Sequence, residues 1–165
     1  MKIKPKYILL AVVIVVTIFA YLYYKFETRI QIASLNFNQE YTDKDLGIFF
    51  KYPDTGEVYR SNKDQNNQLR IFSKKTVNGG NSGFTCDLYI NTGRQVPSYS
   101  ATKLDGSVTY NSLTWSKTKQ QDDDYLGSYL EYWHTKVADK DIILVATIDT
   151  QSYCEKIAST FKVLN

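Results

Sequence analysis

An uncharged run of 18 residues near the N-terminus limits what this chain can fold into more than any other feature. From Tyr7 to Tyr24 it reads YILLAVVIVVTIFAYLYY, without Pro or Gly. At about 1.5 Å rise per residue, a helix of this length spans about 27 Å, close to the hydrocarbon thickness of a bilayer. Only a helix satisfies its own backbone polar groups in lipid. The run therefore predicts a transmembrane helix.

The flanking charges predict how this helix is oriented. Three lysines lie within residues 1–6, whereas Lys25 and Arg29 after the run are partly offset by Glu27. The positive-inside rule then places the N-terminus in the cytoplasm and the rest of the chain outside it, as a single-pass protein of the cell membrane. A cleaved signal peptide is the alternative, but the apolar stretch is long for that role and no good small-residue cleavage site follows it. Either interpretation places the remainder outside the cytoplasm.

Length and composition indicate how the chain beyond the helix is organised and which partners it lacks. We predict a cytoplasmic tip and anchor over residues 1–26, a tether over 27–45 and one globular domain over 46–165. After Ser34 the chain carries 15 Lys or Arg and 16 Asp or Glu, so its basic excess belongs to the N-terminal segment. A near-neutral domain lacks the electrostatic signature of nucleic-acid binding. Nucleic acid is therefore not an expected partner.

The globular part is rich in Tyr, Thr, Val and Ile, with polar turn clusters between them, which is typical of β-structure. In Phe84–Ile90 apolar residues alternate with polar ones, which predicts a strand with one buried and one wet face. Hairpins are predicted around Asn111-Ser112 and around residues 138–140. The run IILVATI at 142–148 is apolar throughout most of its length and predicts a central strand covered on both faces.

A short helix is predicted near the C-terminus. Ser152 and Glu155 fit a capping box at its start. Its apolar stripe, at the spacing i, i+3, i+4 and i+7, comprises Cys154, Ile157, Ala158 and Phe161. We expect this stripe to pack onto the sheet.

The two cysteines, Cys86 and Cys154, lie on the buried face of a predicted strand and on the buried stripe of the predicted helix. An even number of cysteines in an exported domain favours a disulfide. Two free buried thiols are the alternative. We predict the disulfide.

No catalytic, metal-binding or cofactor-binding motif stands out. His134 is the sole histidine, and its position in YLEYWHTKV predicts a histidine on the face of a sheet. The acidic run at 122–124 lacks the alternation and the closing Glu of a calcium loop, which indicates a solvated turn. The loop NGGNSG at 78–83 has no phosphate-binding signature. We therefore predict no cofactor and no metal ion.

Aromatic residues are dense in one third of the globular part. Packing in the core and across strands is one interpretation. The other is a partly exposed surface for a glycan or a protein partner, for which the candidate residues are Tyr99, Trp115, Tyr129 and Trp133. Periodicity alone leaves both interpretations open.

Several segments resemble one family. They are GIFFKYPDTGE at 47–57, SVTYNSLTWSK at 107–117, DIILVATI at 141–148 and EKIASTFKVLN at 155–165. Together they resemble PsbP/Mog1-like domains, which also occur in small bacterial envelope proteins, although Gly56 stands where that family usually has tryptophan. The resemblance covers residues 46–165. It implies an α+β fold, an α/β/α sandwich around a central antiparallel sheet, and no active site.

The favoured function is a membrane-anchored, extracytoplasmic, non-catalytic module that binds an envelope protein or another envelope component. One alternative is a small hydrolase or metal-dependent enzyme centred on His134. Another is a pilin-like subunit, although the Gly-Phe cleavage site and the early Glu of prepilins are absent from the N-terminal segment.

Overall fold

The computed structural model of the chain describes residues 5–61, 67–74, 83–90, 103–121, 129–147 and 149–164. It comprises two compact units, Met1–Ser34 and Leu35–Asn165. The boundary lies inside the segment predicted as a tether. The two units are described separately below.

The N-terminal unit is one helix, α1 (Pro5–Ser34), of 30 residues. Proline is tolerated at its first position, because the N–H that proline lacks would have no partner there. Every residue from Tyr7 to Tyr24 is exposed, and Thr17 satisfies its hydroxyl by donating to the Val13 carbonyl at 2.9 Å. Among the helices described, this one is long and apolar enough to cross a membrane. The predicted apolar helix is confirmed, and it continues about three turns beyond the apolar run.

The globular unit is α+β, as predicted. In chain order its described elements are β1 (Gln39–Asp43), β2 (Ile48–Tyr52), β3 (Gly56–Ser61), β4 (Asn67–Lys74), β5 (Gly83–Ile90), β6 (Lys103–Tyr110), β7 (Leu113–Gln121), β8 (Tyr129–Val137), β9 (Lys140–Thr147), α2 (Gln151–Thr160) and β10 (Lys162–Val163). Both predicted hairpins form, as β6–β7 and as β8–β9. The polar segment β1, predicted as tether, pairs with β2.

Strands β3 to β9 form one antiparallel sheet in the order β3-β4-β5-β9-β8-β7-β6. Strand β9 is the middle strand, as its apolar sequence predicts. Ile142, Ile143 and Leu144 are at most 2% exposed, so both faces of the sheet are covered at these positions. Val145 is half-buried, and Ile148 lies outside the described residues.

One face of this sheet, called the packed face below, carries the core. It contacts α2, which also packs on β2, the middle strand of the small sheet β1-β2-β10. Arg60 of β3 in addition lies 3.3 Å from Asp43 of β1. Phe161 joins the layers, because its ring stacks on Phe50 of β2 at 6.1 Å and meets Trp115 of β7 edge-on at 5.6 Å. Other fully buried residues of this core are Ile48, Leu69, Ile71, Leu88, Ile90, Ile142, Leu144, Cys154, Ile157 and Ala158.

The start of α2 differs from the sequence prediction. Its N-cap is Thr150, and the Ser152–Glu155 capping box is wrong because both residues lie inside the helix. The Thr150 hydroxyl instead accepts a hydrogen bond from the Thr147 backbone N–H at 3.0 Å. This contact closes the turn between β9 and α2. The predicted buried stripe of α2 is confirmed.

The β6–β7 turn fastens the other end of α2. Asn111 and Ser112 have φ of 49° and 67°. Positive φ at both central residues is what a two-residue hairpin turn requires, and Asn adopts it readily. The Asn111 side-chain amide then donates to the Ser159 carbonyl at 2.7 Å, a group that the helix end leaves without an intrahelical partner.

Next to this turn, Tyr110 donates its hydroxyl proton to Glu155 Oε1 of α2 at 2.7 Å. Burial, this hydrogen bond and the carboxylate charge raise the pKa of Tyr110 to about 12. A raised folded-state pKa means that the contribution to stability is complete below the unfolded value of about 10 and is lost as pH rises through the folded value.

We therefore predict that Tyr110→Phe lowers the free energy of unfolding by about 1 kcal/mol near neutral pH and that this difference shrinks above about pH 10. Urea unfolding of the detergent-solubilised full chain and of the variant, each followed at several pH values, measures it. A difference that stays constant through pH 12 would contradict the role of this hydroxyl.

Candidate functional site

The face of the seven-stranded sheet opposite α2 is the candidate site, and it is called the open face below. The strand register places two rows of side chains across it. The first row is Tyr59, Arg70, Asp87, Val145, Tyr132 and Thr118; the second is Gln68, Tyr89, Ile143, His134 and Ser116. Neighbours in a row lie one strand spacing apart, about 4.8 Å. The side chains of the open face therefore form a regular array.

A bidentate ion pair lies in the first row. Arg70 Nε donates to Asp87 Oδ1 at 2.7 Å, and Nη2 donates to Oδ2 at 3.0 Å. Hydrogen bonding to Asp87 raises the pKa of Arg70 above its ordinary value. The Arg70 side chain is 57% exposed, so the pair contributes little to stability. Its effect is to hold the guanidinium in one orientation while leaving it accessible.

Further hydrogen bonds order the second row. The Gln68 amide donates to the Tyr89 hydroxyl at 3.1 Å. His134 Nε2 lies 3.0 Å from Asp141 Oδ1, and both side chains are partly exposed. The prediction of a sheet-face histidine is thus confirmed. Over the described ranges, no three His, Cys, Asp or Glu residues are grouped so as to hold a metal ion.

The apolar atoms of the open face are already covered. Ile143, which lies between Tyr89 and His134 in its row, is 2% exposed, and Tyr132 is 4% exposed. Tyr59 on the edge strand β3 differs, since it is 51% exposed and its hydroxyl hydrogen-bonds to Glu57. The centre of the open face is therefore covered, and its exposed groups include the Tyr59 ring and the Arg70 guanidinium, both near the β3 edge.

The aromatic candidates from the sequence fall elsewhere. Trp115 and Trp133 lie on the packed face at 0% and 1% exposure, so they pack and do not contribute to an exposed surface. The side chain of Tyr129 is outside the described residues, as is the whole of Tyr99. The aromatic residues that do lie on the open face include Tyr59 and Tyr89. The alternation in 84–90 already predicted the wet side for Tyr89, whereas nothing in the sequence singled out Tyr59.

A small polar cluster surrounds Trp133. Its indole Nε1 donates to Glu131 Oε1 at 2.5 Å, and Lys119 Nζ lies 3.8 Å from Glu131 Oε2. Lys117 Nζ lies over the indole at 4.0 Å from the ring centroid. These contacts offset the cost of burying the Glu131 carboxylate, which is only 4% exposed. The cluster supports the packing of β7 on β8.

The predicted disulfide is confirmed. Cys86 of β5 and Cys154 of α2 are bonded, with a Cα–Cα distance of 5.4 Å. Both residues are fully buried, so the bond fastens the helix to the packed face. Neither cysteine is available as a nucleophile or a metal ligand. The acidic run at 122–124 and most of the loop at 78–83 lie outside the described residues.

Comparisons with known proteins add information on the fold alone. No family model matches this chain, and no curated protein matches it. Seven chains of solved structures are similar to it. One is a crystal structure from Bacteroides thetaiotaomicron, with 8% sequence identity and a TM-score of 0.55, covering 77% of this chain and 48% of that one. This chain therefore spans about half the length of that neighbour. The class that the fold defines is an α+β sheet domain preceded by an apolar helix.

Proposed function

We propose that this chain is a single-pass membrane protein whose globular unit lies outside the cytoplasm and binds an envelope component without catalysing a reaction. The exposed, uncharged and predominantly apolar stretch of α1 supports membrane insertion, because such a surface is stable only in an apolar solvent. The lysines before it and the Cys86–Cys154 disulfide both support an extracytoplasmic unit.

This topology predicts that an amine reagent unable to cross membranes labels the protein on intact cells. The lysines after Ser34, such as Lys51 and Lys162, are the expected targets, since their side chains are at least partly exposed. Mass spectrometry of tryptic peptides identifies the labelled positions. Labelling that appears only after lysis would contradict the proposed orientation.

The open face is the observation that carries the binding function. It keeps hydrogen-bonding groups in fixed orientations on a rigid sheet, with Arg70 held by Asp87 and Tyr89 by Gln68. Ordering these side chains before binding lowers the entropy that association would otherwise cost. Pre-ordered groups that are accessible at the edge of a rigid sheet, such as Arg70, are what a docking module requires.

Kinship with PsbP/Mog1-like domains is part of this proposal. It is supported by a central antiparallel strand, β9, followed by the closing helix α2 and the short strand β10. The described part of the globular unit contains one helix, on the packed face, so a second helical layer is not among the described residues. An experimental structure without a helix on the other side of the sheet would contradict the sandwich.

Charge reversal on the open face tests the function. In Arg70→Glu the guanidinium is replaced by a second carboxylate beside Asp87, which should abolish recovery of the partner from detergent-solubilised membranes by tagged full-length protein. The matched control is Lys51→Glu, because Lys51 also forms a cross-strand ion pair, with Glu40 on the small sheet at 3.4 Å, and both side chains of that pair are exposed. Quantitative mass spectrometry of the recovered material compares the three proteins.

We expect wild type and Lys51→Glu to recover the same components in the same amounts, and Arg70→Glu to lose them. Both substitutions place like charges together on a strand pair, at a cost of about 0.2–1 kcal/mol each. The cost is larger for Arg70→Glu, because Asp87 is 20% exposed and Glu40 is 57% exposed. Equal recovery by all three proteins would contradict a role for the open face.

A further inference from the structure

The part of α1 beyond the apolar run carries exposed apolar side chains. Lys25, Glu27 and Arg29 belong to this part, which places it outside the hydrocarbon of a bilayer. Phe26 and Ile30 lie alongside these charges and are 65% and 51% exposed. Two large apolar residues, one helical turn apart on the same side of the helix, therefore face water. A surface that covered them would be stabilised by the hydrophobic effect.

Phe26 and Ile30 continue an apolar stripe that runs along α1, called the seam below. Its members recur at alternating intervals of three and four residues and are all exposed: Leu9, Val12, Val16, Phe19, Tyr23, Phe26, Ile30 and Ala33. Beyond Tyr24 this pattern is selective, because the other residues of α1 there are polar, apart from Ile32, which is buried on the opposite side of the helix together with Thr28. An average spacing of about 3.5 residues keeps one side of a helix in contact with a parallel helix that winds around it. The seam therefore fits a second helix.

A second copy of this chain is the occupant that the charges beside the seam favour. Copies of one chain enter the membrane in the same orientation, so their α1 helices are parallel and can meet seam to seam. Glu27 and Arg29 lie on opposite flanks of the seam, each about 80° from its centre. In a parallel pair with twofold symmetry, the Glu27 flank of one helix faces the Arg29 flank of the other, so opposite charges meet along both edges. The Gln31 amide donates to Glu27 Oε1 at 3.1 Å, which orders this carboxylate.

We propose that α1 pairs with α1 of a second copy along the seam, so that the protein is a parallel dimer in the membrane. Inside the bilayer the seam gains close packing alone, since lipid tails are as apolar as the side chains. At its outer end, pairing also removes Phe26 and Ile30 from water. The inference rests on the membrane insertion and orientation proposed above and is independent of the open face.

Cysteine cross-linking of the full chain in native membranes tests the pairing. Cys86 and Cys154 are bonded to each other, so an introduced cysteine is the one free thiol. Ala33→Cys places this thiol on the seam, whereas Gln31→Cys places it at nearly the same depth but about 120° from the centre of the seam. We expect brief oxidation with copper–phenanthroline to link Ala33→Cys into a dimer on a non-reducing gel and to leave Gln31→Cys monomeric. Reaction of both variants with a maleimide verifies that both thiols are accessible.

Further substitutions in the Ala33→Cys background identify what holds the pair. Phe26→Ser together with Ile30→Ser should lower the yield of dimer about tenfold, because two apolar side chains are lost from the seam. Glu27→Lys places positive charge on both flanks and should also lower the yield. Adding Arg29→Glu to it exchanges the two flanks and should restore the yield.

Three results would overturn the pairing: equal cross-linking of Ala33→Cys and Gln31→Cys, a yield that the serine substitutions leave unchanged, or no dimer. In the last case lipid or a different protein covers the seam, and a cross-linked product of another mass identifies the protein. Labelling of Lys51 and Lys162 on intact cells without a dimer would overturn the pairing and leave the proposed orientation standing. A seam-dependent dimer supports the pairing even if Arg70→Glu recovers every component that wild type does.

Discussion

Replacing Cys86 and Cys154 together by alanine should lower the free energy of unfolding of the globular unit by about 4 kcal/mol. The disulfide closes a loop with a sequence separation of 68 residues, and its loss frees that loop in the unfolded chain. Both side chains are fully buried between β5 and α2, so truncation also leaves a small void. Urea unfolding of the full chain in detergent, followed by tryptophan fluorescence, measures the difference.

Reduced wild-type protein is the matched control, because it loses the covalent link and keeps both sulfur atoms. Its stability should lie between those of the oxidised protein and the double variant. The difference in unfolding free energy between the reduced wild type and the double alanine variant reports the void alone. A loss of less than about 1 kcal/mol in the double variant would show that the disulfide does not hold α2 to the sheet.

The second large effect is a difference in stability between variants of Trp115 and Trp133, two tryptophans that are equally buried. Trp133 Nε1 donates to Glu131, whereas the buried Trp115 Nε1 has no hydrogen-bond partner among the described residues. Trp133→Phe should therefore lower the free energy of unfolding by about 1.5–3 kcal/mol more than Trp115→Phe does, because it removes the hydrogen-bond donor of a buried carboxylate. The loss of ring size is the same in both variants and cancels in the comparison.

The double variant Glu131→Leu/Trp133→Phe completes a thermodynamic cycle. If the indole acts through Glu131, the effects of the two single substitutions should not add. Equal costs for Trp115→Phe and Trp133→Phe in urea unfolding would contradict the importance of the Glu131 hydrogen bond. Both results test the packing role of Trp115 and Trp133, which are buried in the structure.

Local pattern was sufficient to predict much of the sheet. Phe84–Ile90 has a clear period of two, and its buried and wet faces are as predicted. The middle position of β9 followed from its unbroken apolar run, which suits a strand with both faces covered. The pairing of Cys86 with Cys154 followed because each lies on the apolar side of its own element.

The orientation of β8 could not be predicted from its own sequence. One side of the strand carries Leu130, Tyr132 and His134, and the other carries Glu131, Trp133 and Thr135, so neither is clearly the apolar one. The structure turns Glu131, Trp133 and Thr135 inward. Pairing with β9 determines this, because Trp133 lies opposite Leu144 on the packed face. A tertiary contact therefore decides the side on which each aromatic residue lies.

Two local elements were missed for similar reasons. Strand β1, QEYTD, has no apolar alternation and forms because β2 supplies its hydrogen bonds. The N-cap of α2 is Thr150 because its hydroxyl meets Thr147 at the end of β9, a contact that a capping-box pattern does not contain. The array on the open face likewise arises from the register of six strands, which no single segment encodes.

The central claim is that the globular unit binds through the open face. It is tested most directly by the dissociation constants of wild type, Arg70→Glu and Lys51→Glu for the component recovered from membranes. We predict that Arg70→Glu weakens binding at least about tenfold, a loss of about 1.4 kcal/mol, and that Lys51→Glu stays within about twofold of wild type. Dissociation constants that are equal for Arg70→Glu and wild type would contradict the account.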